Sequence, residues 1–349
     1  MSELPPGRTR DADRQWAFET VPAVSRTFTL TIDLLAEPMA TWTCVGYLLC
    51  RAADTVEDEP SIPPRERAEL LETFDAAMDP DDPTTVAEFA DAAEAARPAD
   101  AGADWETVDE VERTMRLYRS FDEPVRETMR SVVREMATGM ADVLRRHADH
   151  GGLRLKTVDE LEEYCWYVAG TVGELFTGLR AHRESEADRP DPEDARAFAM
   201  LLQQVNVAKD VRADWAEENN VYLPGEWLAD EGLDHEDVAD PEAAPGVANV
   251  VERVVDRATG YADGARRYLR SIPRDDAGAL PAMGLPYLLA LGTIRELRNR
   301  TLDAVEQPDA VKLSRAEVEA LFTEVSDGVT QGEVDHLAAA VRSGPYHEG

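Results

Sequence analysis

The side chains best suited to chemistry fall at helical spacing in three stretches of the sequence. The first runs from Tyr47 to Asp58. At about 3.6 residues per turn, Tyr47, Arg51, Asp54 and Asp58 share one stripe, with Glu57 beside it and Leu48, Leu49, Ala52, Ala53 and Val56 on the other faces. Three carboxylates this close repel one another by about a few tenths of a kcal/mol per pair. They also lie toward a helix C-terminus, where the dipole disfavours anions. A cation relieves both penalties, and hard oxygen ligands on one face suit Mg²⁺, with Mn²⁺ as its substitute. On spacing alone, a solvated acidic helix end explains the stretch equally well. The second stretch places Gln203, Asn206, Asp210 and Asp214 on one stripe, while Val205, Val207, Ala208 and Val211 occupy other angles. Carboxylates in an apolar setting need a counter-charge, and two such helices face to face would form a metal-bridged diphosphate site at one end of an apolar cavity. The competing reading is a surface helix paired through Lys209 and Arg212. The third stretch, Tyr164 to Gly173, carries Gly170 and Gly173 three apart, which lets a ligand or a second helix approach closely. Tyr164 and Tyr167 there could supply a phenol near a reacting carbon, or simply pack as core aromatics.

Helices must position these groups, and the chain offers little else. No segment alternates for long with a period of two, and clusters of β-branched residues are sparse. Helices are predicted over 23–35, 38–58, 63–78, 105–121, 123–149, 157–182, 191–217, 247–272, 283–305 and 315–342, the last with a break open within it. Proline- and glycine-rich punctuation separates them, as at Pro60 to Pro64 and His150-Gly151-Gly152. The Ala/Asp/Pro-rich segment 79–104 reads as an acidic surface insertion, because the apolar pattern resumes unchanged after it. The expected organisation is a flexible N-terminus over 1–15, one large all-α domain over 16–342 and a tail over 343–349, without internal repeats.

Composition narrows the function. The 349 residues hold 71 Asp+Glu against 36 Lys+Arg, a formal charge of −35. That balance excludes a nucleic-acid partner, which needs a basic face, and polybasic attachment to anionic lipid. An acidic decoy of nucleic acid is the remaining exception. With 43% hydrophobic residues the chain can bury a sizeable core and is no disordered acidic tail. Only three basic residues are lysine (Lys156, Lys209 and Lys312), and the rest are arginine. Such a bias is that of a protein from a high-salt cytoplasm, as in a halophilic archaeon, where screened self-repulsion is tolerable. Ordinary solvated acidic helix faces are the plainer account. Three cysteines, Cys44, Cys50 and Cys165, fit reduced intracellular thiols. The longest apolar stretch, Ala282 to Ile294, is interrupted by Gly284, Pro286 and Gly292, short of the roughly 20 residues of a membrane span. The expectation is a cytoplasmic chain without a signal peptide or anchor, free or in peripheral contact with a membrane, its oligomeric state open.

Taken in order, the motifs resemble those of the squalene/phytoene synthase family of head-to-head prenyltransferases. The resemblance runs from about Ala23 to about Ala320. It rests on Ser25-Arg26-x-Phe28, on Asp54 to Asp58, on the run from Tyr164 to Gly173, and on Asn206, Asp210 and Asp214 followed by Tyr222-Leu223-Pro224. It implies an all-α isoprenoid-synthase bundle around a central apolar cavity. Mg²⁺ ions would bridge Asp54, Glu57, Asp58, Asp210 and Asp214 to prenyl diphosphates. Arg26, Arg51 and Lys209 would bind phosphate, Ser25, Phe28, Tyr47, Gln203 and Asn206 would touch substrate, and Tyr164 would handle a proton. Within the family the chain looks more like a squalene synthase than a phytoene synthase, because its first motif ends Glu57-Asp58. The stretch Ala310 to Arg315 also resembles a basic segment linked there to NADPH, which makes Lys312 and Arg315 its candidate contacts. The implied reaction joins two farnesyl diphosphates through presqualene diphosphate and reduces the product to squalene. The alternatives are a phytoene synthase using two geranylgeranyl diphosphates without NADPH, a dehydrosqualene synthase, and a non-catalytic member serving as a binding or assembly factor. Two departures stand out. Lys209 replaces the usual Arg, which keeps a point charge but loses the bidentate fork. Asn219-Asn220-Val221 replaces the usual Gly-Arg.

Overall fold

A computed structural model describes residues 6–183, 190–273, 276, 278–308 and 310–347. Capping side chains and prolines set the helix starts. In the first third lie α1 (Pro6–Val24), α2 (Arg26–Asp33), α3 (Met39–Asp58), α4 (Pro64–Met78), α5 (Val86–Ala96), α6 (Glu106–Asp109) and α7 (Val111–Arg119). The middle holds α8 (Glu123–His147), α9 (Val158–Cys165), α10 (Thr171–Ala181), α11 (Pro192–Ala213) and α12 (Gly225–Asp230). The last third is α13 (Ala244–Ser271), α14 (Ala279–Glu306), α15 (Arg315–Ser326) and α16 (Gln331–Ser343). Ser25, Thr157 and Ser314 each accept a backbone N–H at the start of α2, α9 and α15, satisfying donors that a helix leaves open. Thr85 with Glu88 and Thr330 with Glu333 form capping boxes on α5 and α16. Gly328, at φ 86°, makes the turn that divides the predicted 315–342 helix into α15 and α16.

Among the described residues there is no β-strand, only an isolated bridge between Arg154 and Val221. The expected all-α class holds. At its centre α11 packs against α13 and α14. It can do so because it is apolar over most of its circumference, with Phe198, Met200, Leu201, Val205, Ala208 and Val211 all buried. α3, α4 and α8 pack together on the other side. No described helix is long and apolar enough to cross a membrane.

Two segments differ from expectation. Residues 1–5 lie outside the described ones, but the stretch expected to be flexible is helical from Pro6 and docked through Asp13. Asp13 is buried between Arg113 (3.0 Å) and Arg116 (2.8 Å) of α7, and Trp16 donates to Glu106 at 2.9 Å. The 79–104 segment contains α5, whose Val86, Phe89 and Ala93 are buried at three- and four-residue spacing, with Phe89 against Phe74 of α4. Its acidic residues mask that short stripe. At the other end, residues 348 and 349 lie outside the described ones, while the Tyr346 N–H donates to Glu317 at 2.9 Å.

Candidate active site

A cavity of about 500 Å³ opens between α2, α3, α9–α10, α11 and α14. Each wall presents a stripe at helical spacing. On α3 it is Thr43, Tyr47, Arg51, Asp54 and Asp58, and on α11 it is Ala199, Gln203, Asn206, Asp210 and Asp214. Both stripes read from sequence therefore face one space. The α9–α10 wall runs antiparallel to α3: Tyr164 reaches Glu57 at 3.4 Å, whereas Leu175 packs over Gly46. The cavity is accordingly polar at one end. Phe176, Phe198, Leu202 and Met283 line it elsewhere.

At the polar end, Asp54, Glu57 and Asp58 each bring a carboxylate oxygen within 4.8 Å of the others. Burial pushes the Glu57 carboxyl up to about 7, against the pull of Asp58 and Arg67. Asp58 is also raised, by burial and then by the charges of Glu218, Asp54 and Glu57. Two arginines flank the cluster. Arg67, fully buried on α4, donates to the Glu57 carbonyl and keeps Nε and Nη2 without partners. Arg51 pairs with Asp54 and, through Nη2, with Asp104 at 2.9 Å.

The facing wall carries Asp210, Asp214 and Glu218, with Lys209 paired to Asp210. Here α11 widens into a π-helical turn over Asp214–Glu218, which ends at Asn219 in the left-handed region (φ 58°). The loop is tightly built. Arg154 donates to the Asn219 carbonyl (2.6 Å) and Oδ1 (3.0 Å) while covering the Trp215 ring. Asn220 accepts from Leu153 N (2.8 Å) and donates to Glu218 (3.2 Å) and the Tyr222 hydroxyl (2.9 Å). The two asparagines that replace Gly-Arg thus shape the loop from within. Burial raises Asp214 well above the usual carboxylate range and Glu218 to about 7, each helped by neighbouring carboxylates.

Tyr164 and Tyr222 stack with centroids 4.7 Å apart and hydroxyls 3.0 Å apart, joining the two acidic walls. Burial, then Glu57 and Asp58, push the Tyr164 hydroxyl well above its ordinary value, so it is a neutral phenol. Phe28 stacks on Tyr47 at 3.9 Å, and burial raises the Tyr47 phenol to about 12. Ser25 lines the cavity and caps α2.

Other candidates fall elsewhere. Arg26, the first residue of α2, is exposed and outside the lining. Tyr167 packs over Gly139 of α8 and is likewise outside the lining, so of the two tyrosines in that run only Tyr164 lines the cavity, with Tyr47 and Tyr222 from other elements. Lys312 is exposed, and Arg315, 92% exposed, pairs with Glu319 at 2.6 Å. Neither lines the cavity. Glu218 was missed, although it is the next rung of the four-residue ladder through Asn206, Asp210 and Asp214. Asp104 and Arg67 carried no such signal.

The donor set fits Mg²⁺. Its oxygens are hard, three already converge, and Glu57 Oε1 is buried without a hydrogen-bond partner, a costly state that a cation removes.

Residues 21–317 match the family model described as squalene/phytoene synthase. The chain is 25% identical to squalene synthase 1 of Arabidopsis thaliana over 294 residues, 80% of this chain and 64% of that protein. It is 34% identical to a 15-cis-phytoene synthase of Enterobacter agglomerans over 128 residues, 36% of this chain and 41% of that one. The chain thus spans less than two thirds of the length of these curated relatives. Among solved structures, a complex of TcSQS with the ligand BPH1237 shares the fold, with a TM-score of 0.78 at 23% identity over 95% of this chain and 90% of that one.

Proposed function

The chain belongs to the squalene/phytoene synthase family, and from that premise we propose that it condenses two farnesyl diphosphates head to head and acts as a squalene synthase. The observation that carries the reading is the single cavity with two carboxylate walls at one end and aromatic and aliphatic side chains elsewhere. The breadth of the match to a curated squalene synthase supports C15 substrates over C20.

Asp54, Glu57 and Asp58 on one wall, and Asp210 and Asp214 on the other, would hold Mg²⁺. Bound there, the ion supplies Lewis-acid stabilisation of a departing diphosphate. Arg51 and Lys209 stand at the same end as charge-assisted donors to phosphate oxygens. Phe176, Phe198, Leu202 and Met283 keep water from an allylic cation. The stacked rings of Phe28 and Tyr47 can offer such a cation a π face. Tyr164, neutral and hydrogen-bonded to Glu57 and Tyr222, would handle the proton whose loss gives presqualene diphosphate.

The test is incubation with farnesyl or geranylgeranyl diphosphate, each with and without NADPH, followed by product chromatography. Squalene from farnesyl diphosphate plus NADPH is expected. A C40 product indifferent to NADPH would instead make this chain a phytoene synthase. Dehydrosqualene whether or not NADPH is present would remove the reductive step, and no product from either substrate would support a non-catalytic member.

A further inference from the structure

Arg51 has two acidic partners of different kinds. Asp54 is a cavity carboxylate of the converging cluster. Asp104 is not part of that cluster. It comes from the short 3₁₀ turn Ala103–Trp105 before α6, and its Oδ2 takes Arg51 Nη2 at 2.9 Å. The turn is anchored on both sides: buried Trp105 donates to Glu59 at 3.1 Å just past the end of α3, and the Thr107 hydroxyl donates to the Asp104 carbonyl at 2.7 Å. Arg51 Nε is buried and has no partner. The guanidinium is therefore shared between a carboxylate that a divalent cation needs and one that it does not.

We propose that Asp104 is a positioning residue that draws Arg51 off Asp54 and so keeps the Asp54 carboxylate available to a divalent cation. The inference rests on the metal-site reading above and extends it to a residue outside the acidic motifs. An arginine can clamp a carboxylate with two parallel N–H···O bonds. While Asp104 holds Nη2, Arg51 offers Asp54 only Nη1. Without Asp104 both donors turn to Asp54, and an entering cation must break a bidentate pair. Asp104 also leaves Arg51 a partner once Asp54 is occupied, so a half-buried guanidinium is not stranded.

The test uses the full chain and Mn²⁺ as the probe, titrated while the paramagnetic signal of the free ion is followed. Asp104→Asn weakens Mn²⁺ binding about fivefold, the scale of one partly exposed ion pair. Asp104→Glu stays within about twofold, because a carboxylate still holds Nη2. Arg51→Met tightens binding by removing the competitor. In that background Asp104→Asn then changes affinity by less than about twofold, which is the bare through-space effect of one exposed charge. Unchanged affinity in Asp104→Asn overturns the inference. So does a fivefold loss that persists beside Arg51→Met, since Arg51 would then not be the intermediary. Asp54→Asn separates the two readings: a wild-type chain that binds Mn²⁺ no better than this variant overturns the metal site itself, and this inference with it.

Discussion

The ends of α3 and α11 both carry carboxylates into the same cavity, yet they are built on opposite plans. On α3 the spacing of Asp54, Glu57 and Asp58 brings three oxygens within 4.8 Å before any ligand arrives. The crowding is tolerated because Arg67 lies on the core side and Arg51 on the cavity side. On α11 the rungs Asp210, Asp214 and Glu218 line the facing wall, and among the described residues they form no such convergent group. A π-helical turn and a left-handed Asn219 then end the helix, an irregularity often found at functional sites. One end is a cluster whose oxygens already converge, and on the proposed reading the other is a ladder that a bound diphosphate would draw together.

If that contrast is right, the α3 end is the less forgiving. Asp54→Asn lowers Mg²⁺-dependent turnover about a thousandfold, and Asp210→Asn about a hundredfold, at saturating metal and substrate. Steady-state rates with farnesyl diphosphate check both. Equal losses would erase the distinction, and full activity in either variant would sink that carboxylate as a metal ligand.

Proton occupancy gives the second comparison. Glu57 and Glu218 are raised to about 7, and Asp58 and Asp214 are raised too. A carboxyl whose folded pKa exceeds its unfolded one binds more protons in the folded state. The metal-free chain therefore loses stability as pH rises from about 4.5 through 7. Mg²⁺ reverses the sign by taking the place of those protons. Apparent Mg²⁺ affinity should climb about tenfold per pH unit for each proton displaced between pH 5.5 and 7, then level off. Thermal-shift titrations at pH 5.5, 6.5 and 7.5 measure it, and a flat response would mean that the carboxylates are ionised without metal.

What could be read from the sequence follows the same division. Stripes on one helix were legible because 3.6-residue periodicity is a local property, and Tyr47 to Asp58 and Gln203 to Asp214 both face the cavity as spaced. Contacts between distant segments were not. Nothing local ties Asp104 to Arg51, Arg67 to Glu57, or Arg154 to Asn219. The direction of a side chain at a helix start was illegible too, since packing alone decides that Ser25 and Phe28 face inward while Arg26 is exposed. Acidity hid the rest. In a chain with 71 Asp+Glu, the next rung at Glu218 has no contrast against the other carboxylates, and the Ala/Asp/Pro composition of 79–104 outweighs the Phe89 stripe.

Glu218 also tests the ladder itself. Glu218→Gln keeps an oxygen for the Asn220 and Tyr222 donors (each 3.2 Å) but removes the charge facing Glu57 and Asp58. Turnover should fall about tenfold, and the pH midpoint for Mg²⁺ binding should move down, because one like charge no longer holds protons on the α3 cluster. An unchanged midpoint would mean that the two walls do not sense each other.

The smallest effect is expected at Lys209. Lysine is scarce in this chain, and its presence beside Asp210 hints at a local requirement. The geometry points the other way. Lys209 Nζ pairs with its own neighbour Asp210 on the facing wall, and its side chain keeps 25% of its exposure. An arginine preserves the charge there. Lys209→Arg should leave kcat within about twofold and lower KM slightly, since the fork adds a second donor to phosphate. A tenfold loss of kcat would show that a compact ammonium is needed at that point. The α11 wall would then be as exacting as the α3 cluster, and the contrast between a convergent cluster and an adaptable ladder would not survive.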